Sequence, residues 1–222
     1  DEALTALAPR VQRLQDVLQK RMTQPQITWG GDLTVLSEPG AENEPIVVRH
    51  AMAFTRVMHE MPIALEADDL IVGNSLLDGV VVRTRMPGYA LDDELDDAAA
   101  EGAKIAAQIG HKTPYYYDLM SGGISSVLSR IEAGLTEVEN LPTGPERDEK
   151  VGFFRAMKIE CEAVIALAHR YADLAESQAS EETDAARRDE LMSIAGVCRR
   201  VPEHAPRTFH EALQFAWFMH EM

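Results

Sequence analysis

The sequence predicts a mainly α-helical protein, and three observations lead to this prediction. Apolar residues recur at three- and four-residue intervals in several long segments, which is the spacing of one face of an α-helix. Pro and Gly concentrate in the short stretches between these segments. The best strand candidate is GVVVRTRMPGY at 79–89, where three adjacent valines precede a Pro-Gly turn. We therefore expect one mainly helical region over 1–222.

The N-terminal part begins with a predicted amphipathic helix. Its apolar residues are Leu4, Leu7, Val11, Leu14 and Leu18. A connector at 21–45 follows, and its ITW and LTVL pieces are either short strands or extended segments. Pro45 suits the first position of a second helix, and Pro62 ends that helix.

The central part contains three further predicted helices. Residues 91–109 are rich in Asp, Glu and Ala, and a helix at 115–135 is interrupted or preceded by Gly122-Gly123. A second connector at 140–150 leads into the longest helix. The predicted inner face of that helix consists of Phe153, Met157, Cys161, Val164, Ala168, Tyr171 and Ala175.

Two helices complete the chain. One follows EETD and ends near Arg199, with Leu191, Ile194 and Cys198 facing inward. The other begins at Thr208, which has the T-x-x-E spacing of a capping box with Glu211. This last helix is apolar on nearly all sides, so one neighbouring layer cannot cover it. We expect that its large side chains cannot all be covered within 1–222; these are Leu213, Phe215, Trp217, Phe218 and Met222.

Composition excludes several classes of partner. Lys and Arg total 21 against 37 Asp and Glu, a formal net charge of −16 at pH 7. Such a balance disfavours nucleic acid and anionic membranes as partners. Two cysteines in a chain of this size do not make a disulfide framework. Since the sequence has no apolar run of about 18 residues, we expect a cytoplasmic protein.

Self-contained catalytic motifs are absent from the sequence. It has no H-E-x-x-H, C-x-x-C, Walker or G-x-G-x-x-G pattern, and the acidic run DDELDD at 92–97 lacks EF-hand spacing. Cys161 and Cys198 lie on the apolar sides of predicted helices, where burial keeps thiols inert. We therefore predict no catalytic residue and no metal site in these 222 residues.

Several segments nevertheless match one family in order along the chain. The specific ones are Arg170-Tyr171-Ala172, the E-L-x-x-I-A-x-x-C stretch at 190–198, and VPEHAPRTFHEALQFAWF at 201–218. Upstream, EPIVVRHAMAF, DDLIVG and GHKTPYYYDLMSGG fit the same family. The chain resembles the glycyl radical enzymes of the pyruvate formate-lyase-like family.

The resemblance implies a fold and a chemistry. The fold is the N-terminal helical part of an α/β glycyl-radical-enzyme barrel, with the rest of a longer chain completing the barrel. The catalytic Cys and Gly loops of the family lie outside this chain, so this portion alone is predicted inactive. The parent enzyme would be an anaerobic lyase whose glycyl radical is installed by a radical S-adenosylmethionine activating enzyme. A homodimer and a small-molecule substrate are the other implied partners.

The resemblance also suggests which residues line the substrate cavity. His111, in the Gly-His element, is the first candidate, and Tyr115 and Tyr116 can add hydroxyl donors. Arg85-Met86-Pro87-Gly88-Tyr89 imitates the family's radical loop but occurs too early and has Pro87 where the family has a small residue. The alternative hypothesis is a non-catalytic, acidic helical scaffold that offers its last helix to a partner.

Overall fold

A computed structural model describes residues 7–21, 23–73, 76–77, 80–102 and 115–221. Within these residues the seven α-helices are α1 (Pro9–Arg21), α2 (Ile46–Glu60), α3 (Asp92–Ala100), α4 (Tyr116–Glu139), α5 (Pro145–Glu181), α6 (Ala185–Arg200) and α7 (Phe209–Glu221). The strands are β1 (Gln26–Trp29), β2 (Leu76–Leu77) and β3 (Val80–Thr84). The prediction of a mainly helical chain is confirmed.

The small sheet has the order β1-β3-β2. β1 runs parallel to β3 and β2 runs antiparallel to it. The strand predicted in GVVVRTRMPGY is confirmed, and the ITW piece is part of a strand as well. The LTVL piece instead contributes a single bridge between Thr34 and Gly88.

Helix α5 is the centre of the fold and packs against α2, α4 and α6. Its buried small residues include Ala168, Ala172, Ala175 and Ala179. Alanine spacing of this kind lets neighbouring helices approach closely. Phe153 was expected on the inner face but is 54% exposed. The adjacent Phe154 takes the inward position instead, because its ring lies against Gly134 of α4.

The connections around α5 and α6 follow ordinary capping rules. α5 begins at Pro145, a residue suited to the first helical turn, so the connector is shorter than the predicted 140–150. Asp184 caps α6 by accepting a hydrogen bond of 3.0 Å from the Ala186 N–H. The inward placement of Leu191, Ile194 and Cys198 is confirmed, since all three are buried.

Helix α4 is broken at Gly123, as the Gly-Gly pair suggested. Gly123 has φ 70° and ψ −179°, a conformation that favours glycine. The turn after the break is capped by a different part of the chain. The N–H groups of Ile124 and Ser125 donate to the carbonyls of Pro202 and Glu203 at 3.0 and 2.9 Å. The VPEHAP segment therefore anchors the second half of α4.

The last helix begins as predicted, and only part of its apolar surface is buried. The Glu211 N–H donates to Thr208 Oγ1 at 3.1 Å, and the Glu211 carboxylate accepts from the Arg207 N–H. Leu213 and Trp217 are 45% and 40% exposed, so the expectation that the large side chains are not all covered is confirmed, and Met222 lies outside the described residues. Phe215 and Phe218 are 0% and 1% exposed. They face the core formed by α5 and α6, and the exposed apolar residues of α7 lie on its opposite side.

Candidate functional site

A cleft of about 620 Å³ lies between α2, α4, α5, β3 and α7. Most of its lining is apolar, and four methionines contribute: Met58, Met61, Met86 and Met219. Methionine side chains adapt to irregular shapes, which suits a surface that must accept another group. The cleft is within the size range of ligand pockets.

The main polar feature of the cleft is a His–Glu pair. His50 of α2 and Glu160 of α5 approach to 3.0 Å between Nδ1 and Oε1. The edge of the imidazole meets the Tyr89 ring in a T-shaped contact, with centroids 5.1 Å apart. The pair can orient a hydrogen-bonding group or hold a proton at the cleft. No local pattern indicates this pair, since the two residues are 110 positions apart.

The thiols do not supply a nucleophile. Cys161 lines the cleft, and its burial together with Glu160 and Glu162 raises its pKa to about 11. Burial raises the pKa of Cys198 to about 12. Both groups are therefore protonated near neutral pH, in agreement with the structural role predicted for them.

The other predicted site residues lie elsewhere. His111 is outside the residues that the structure describes. Tyr115 and Tyr116 lie at the start of α4 and do not line the cleft, and Tyr115 is 71% exposed. Among the described residues, no cluster of His, Cys, Asp and Glu is placed to hold a metal ion.

Gly88, at the centre of the sequence that imitates a radical loop, has a structural role. Its N–H donates to Leu33 O at 2.8 Å, and its carbonyl accepts from Val35 N and Thr34 Oγ1 at 2.9 Å each. These bonds fasten the Pro-Gly turn to the connector after β1. They support the interpretation that Gly88 belongs to the fold.

Two side chains of α5 bind the backbone of the last turn of α2 and of the irregular chain that follows it. Arg170 donates to the carbonyls of Met58 and Met61 at 2.6 and 2.7 Å and so caps the end of α2. Gln178 donates to Leu65 O at 3.1 Å. Each bond satisfies a carbonyl that no helix or strand satisfies.

Arginines of two other helices also donate hydrogen bonds to backbone carbonyls of this segment. Arg187 of α6 donates to the carbonyls of Glu66 and Asp69 at 3.0 Å each. Arg10 of α1 donates to Asp68 O at 3.0 Å. No local pattern in the sequence assigns these arginines a role.

The start of α3 is tied to α2 by a buried ion pair. Arg49, only 1% exposed, donates to the carboxylate of Glu94. A hydrogen bond from the Leu91 N–H, together with the Arg49 guanidinium, lowers the pKa of Glu94. The arginine of the EPIVVRHAMAF segment is thus structural among the described residues.

Comparison with known proteins identifies the family. The sequence family described as "Pyruvate formate lyase-like" matches residues 90–222. The chain belongs to this family. The match covers α3 to α7, including Arg170, Arg187 and the whole of α7.

Curated relatives in this family are lyases and dehydratases. Trans-4-hydroxy-L-proline dehydratase of Clostridioides difficile is 40% identical over 98 residues, which are 44% of this chain and 12% of that protein. Isethionate sulfite-lyase of Nitratidesulfovibrio vulgaris is 40% identical over 105 residues, 46% of this chain and 12% of that protein. The chain thus spans a small part of the length of these relatives.

Solved structures of the family share the fold. A structure from a study of 1,2-propanediol dehydration in Roseburia inulinivorans matches 100% of this chain and 32% of its own, with a TM-score of 0.76 and 27% identity. The glycerol-bound, B12-independent glycerol dehydratase of Clostridium butyricum matches 99% of this chain and 34% of its own, with a TM-score of 0.76 and 19% identity. The second likeness concerns the fold alone.

A membrane-spanning helix was also sought. None of the helices in the described ranges has both the length and the apolarity needed to cross a bilayer.

Proposed function

We propose that these 222 residues are the N-terminal portion of a pyruvate formate lyase-like domain in a glycyl radical lyase or dehydratase. The substrate would be a small polar molecule, and the bond cleaved would be C–C, C–O, C–N or C–S. The observation that carries the proposal is the family match over 90–222, together with relatives named as a dehydratase and a sulfite-lyase.

In this proposal the radical chemistry takes place outside the 222 residues. The catalytic Cys and Gly loops belong to the downstream chain, and an S-adenosylmethionine-dependent activating enzyme installs the radical. Once installed, the radical supplies hydrogen-atom abstraction through the cysteine. This portion supplies a rigid wall, with His111, Tyr115 and Tyr116 as candidates for contact with the substrate. The parent enzyme would be a cytoplasmic, anaerobic homodimer.

The surface of α7 supports a role as part of a larger fold. Phe209, Leu213 and Trp217 are 79%, 45% and 40% exposed and follow one another at four-residue intervals. They form one apolar stripe, here termed the outer face of α7. A stripe of large apolar side chains marks a contact surface. We assign it to the downstream part of the same polypeptide, because the solved relatives are about three times longer than this chain.

Electron paramagnetic resonance on two polypeptides tests the proposal. The 222-residue chain, incubated without oxygen with an activating enzyme, should give no glycyl doublet. The polypeptide encoded by the reading frame extended beyond codon 222 should give one and should turn over substrate. A doublet in the short chain that disappears in Gly88→Ala would contradict the assignment. A reading frame that ends at codon 222 would favour the scaffold hypothesis.

A further inference from the structure

Gln214 is a buried polar residue on an otherwise apolar side of α7. Its side chain is 1% exposed and forms two hydrogen bonds with one backbone unit. The Val72 N–H donates to Gln214 Oε1 at 2.8 Å, and Gln214 Nε2 donates to Val72 O at 2.9 Å. A neighbouring β-strand would make the same pair of bonds. The carboxamide therefore takes the place of a strand beside Val72.

Two other side chains of α7 bind the same stretch of backbone. His210 Nε2 lies 2.7 Å from Leu70 O, and Trp217 Nε1 donates to Gly73 O at 3.4 Å. With Gln214 these residues are spaced by four and three positions, so they share one side of the helix. Three successive turns of α7 thus hold Leu70–Gly73 along its length.

The Val72 backbone needs hydrogen-bond partners from α7 because Val72 lies in no strand. Val72 is 0% exposed, so water cannot satisfy its N–H and carbonyl groups. A buried backbone group without a partner costs about 1–3 kcal/mol. The Gln214 carboxamide satisfies both groups at once, and a leucine or methionine at this position would satisfy neither.

The position of Val72 also bears on the cleft. Leu76, four residues further along, pairs with Val81 of β3, and Val82 and Thr84 of that strand line the cleft. Gly73 is itself a lining residue. Fixing Val72 therefore fixes the position of Gly73, the next residue, in the cleft wall.

We propose that Gln214 is a positioning residue that sets the register of Leu70–Gly73 and thereby the place of Gly73 in the cleft wall. The inference rests on the proposed function only in treating that wall as part of a lyase. The hydrogen bonds between Gln214 and Val72 can be tested without the radical and without substrate turnover. A negative result for these bonds is therefore distinguishable from a failure of the proposed function.

Thiol labelling separates a positioning role from general destabilisation. Cys161 lines the cleft, whereas Cys198 is 1% exposed among core residues of α5 and α6. In Gln214→Met, alkylation of native Cys161 should accelerate by at least about tenfold while that of Cys198 does not change. Equal acceleration of both thiols, or no change in either, overturns the proposal. Leu213→Met, on the exposed side of the same turn, is the matched control and should change neither rate.

A second variant tests the hydrogen bonds and remains informative if Gln214→Met folds poorly. In Gln214→Glu, a protonated carboxyl can accept from the Val72 N–H and donate to its carbonyl. A carboxylate cannot donate, and its buried charge faces the Val72 carbonyl oxygen, so the segment should separate from α7 when the carboxyl ionises. The exchange protection of the Val72 amide, corrected for intrinsic rate, should match the native chain near pH 4 and fall at least about tenfold by pH 8. Protection that is the same at both pH values overturns the proposal. Leu213→Glu, which adds the same charge outside the pairing, should show no such pH dependence.

Discussion

The two helices at the ends of the described chain, α1 and α7, differ in what attaches them to the body. α7 inserts Phe215 and Phe218 into the core and binds the backbone of Leu70–Gly73 through polar side chains. Its attachment therefore combines packing with hydrogen bonds, and those of Gln214 lie away from water. Only its outer face remains exposed.

α1 has the opposite arrangement. Its apolar residues Val11, Leu14 and Leu18, and Leu7 just before the helix, are 38–58% exposed. The helix is held by two arginines: Arg10 forms a two-pronged pair with Glu190 at 2.7 and 2.9 Å, and Arg13 pairs with Asp68. Ion pairs near water depend on pH and salt, whereas packing does not. An apolar stripe at helical spacing thus identifies a helix but does not show which side the protein buries.

The largest expected effect concerns the buried side of α7. Phe218→Ala removes a ring that is 1% exposed and 5.9 Å from the Tyr171 ring, centroid to centroid. We expect a loss of about 3–5 kcal/mol of unfolding free energy, because the deletion leaves a cavity. Phe209→Ala, at a residue 79% exposed, is the control and should change it by less than about 0.5 kcal/mol. Chemical denaturation measures both, and similar losses would show that the two sides of α7 are not distinct.

A smaller effect is expected when α1 loses its main ion pair. Glu190 accepts hydrogen bonds from both Arg10 and Arg187. Because Glu190 is partly exposed, we expect Glu190→Gln to cost about 1 kcal/mol. Amide exchange should accelerate throughout α1 and remain unchanged in α7. Lys20→Met is the control, because it changes the charge of α1 without altering this ion pair, and it should not accelerate amide exchange. If Glu190→Gln accelerates amide exchange in both α1 and α7, the variant has lost global stability instead.

Acid should release α1 before it affects α7. Hydrogen bonds from Arg10 and then Arg187 lower the pKa of Glu190 from 4.5 to about 2. A lowered folded-state pKa stabilises the fold above the unfolded value, and this stabilisation is lost as the pH falls from about 4.5 towards about 2. Amide exchange of α1 should show this dependence in the native chain and a weaker one in Glu190→Gln, in which the Arg13–Asp68 pair remains. A pH profile that is the same in both proteins would contradict the ion-pair account.

The smallest change in stability is expected on the outer face of α7. Phe209→Ser with Leu213→Ser should change the unfolding free energy by less than about 1 kcal/mol, since both residues are exposed. It should nevertheless reduce self-association, because it removes part of an apolar stripe. Light scattering on the native and variant chains measures this. A native chain that is already monodisperse and monomeric would argue against the stripe as a contact surface.

The sequence predicted the helices well because their apolar spacing is a local property. The break at Gly123 and the start of α7 at Thr208 were also foreseeable from Gly-Gly and from T-x-x-E. The side of α7 that is buried was not foreseeable, because every side of that helix carries apolar residues. The decisive contact, Gln214 with Val72, joins positions 142 apart. The one local sign of this contact was Gln214 itself, a polar residue within an apolar run.

The candidate site was less predictable than the fold. The His50–Glu160 pair depends on how α2 packs against α5, which no local pattern encodes. The raised pKa values of Cys161 and Cys198 agree with their predicted places on the apolar sides of helices, and their low reactivity stays a prediction. The roles of His111, Tyr115 and Tyr116 came from the family resemblance and stay predictions.

The central claim is that α7 joins this portion to the rest of a larger enzyme through its outer face. Hydroxyl-radical footprinting of the 222-residue chain and of the longer polypeptide tests it most directly. Leu213 and Trp217 should be oxidised in the short chain and protected in the long one, while Phe215 and Phe218 should be protected in both. Equal oxidation of Leu213 and Trp217 in the two polypeptides would contradict the claim.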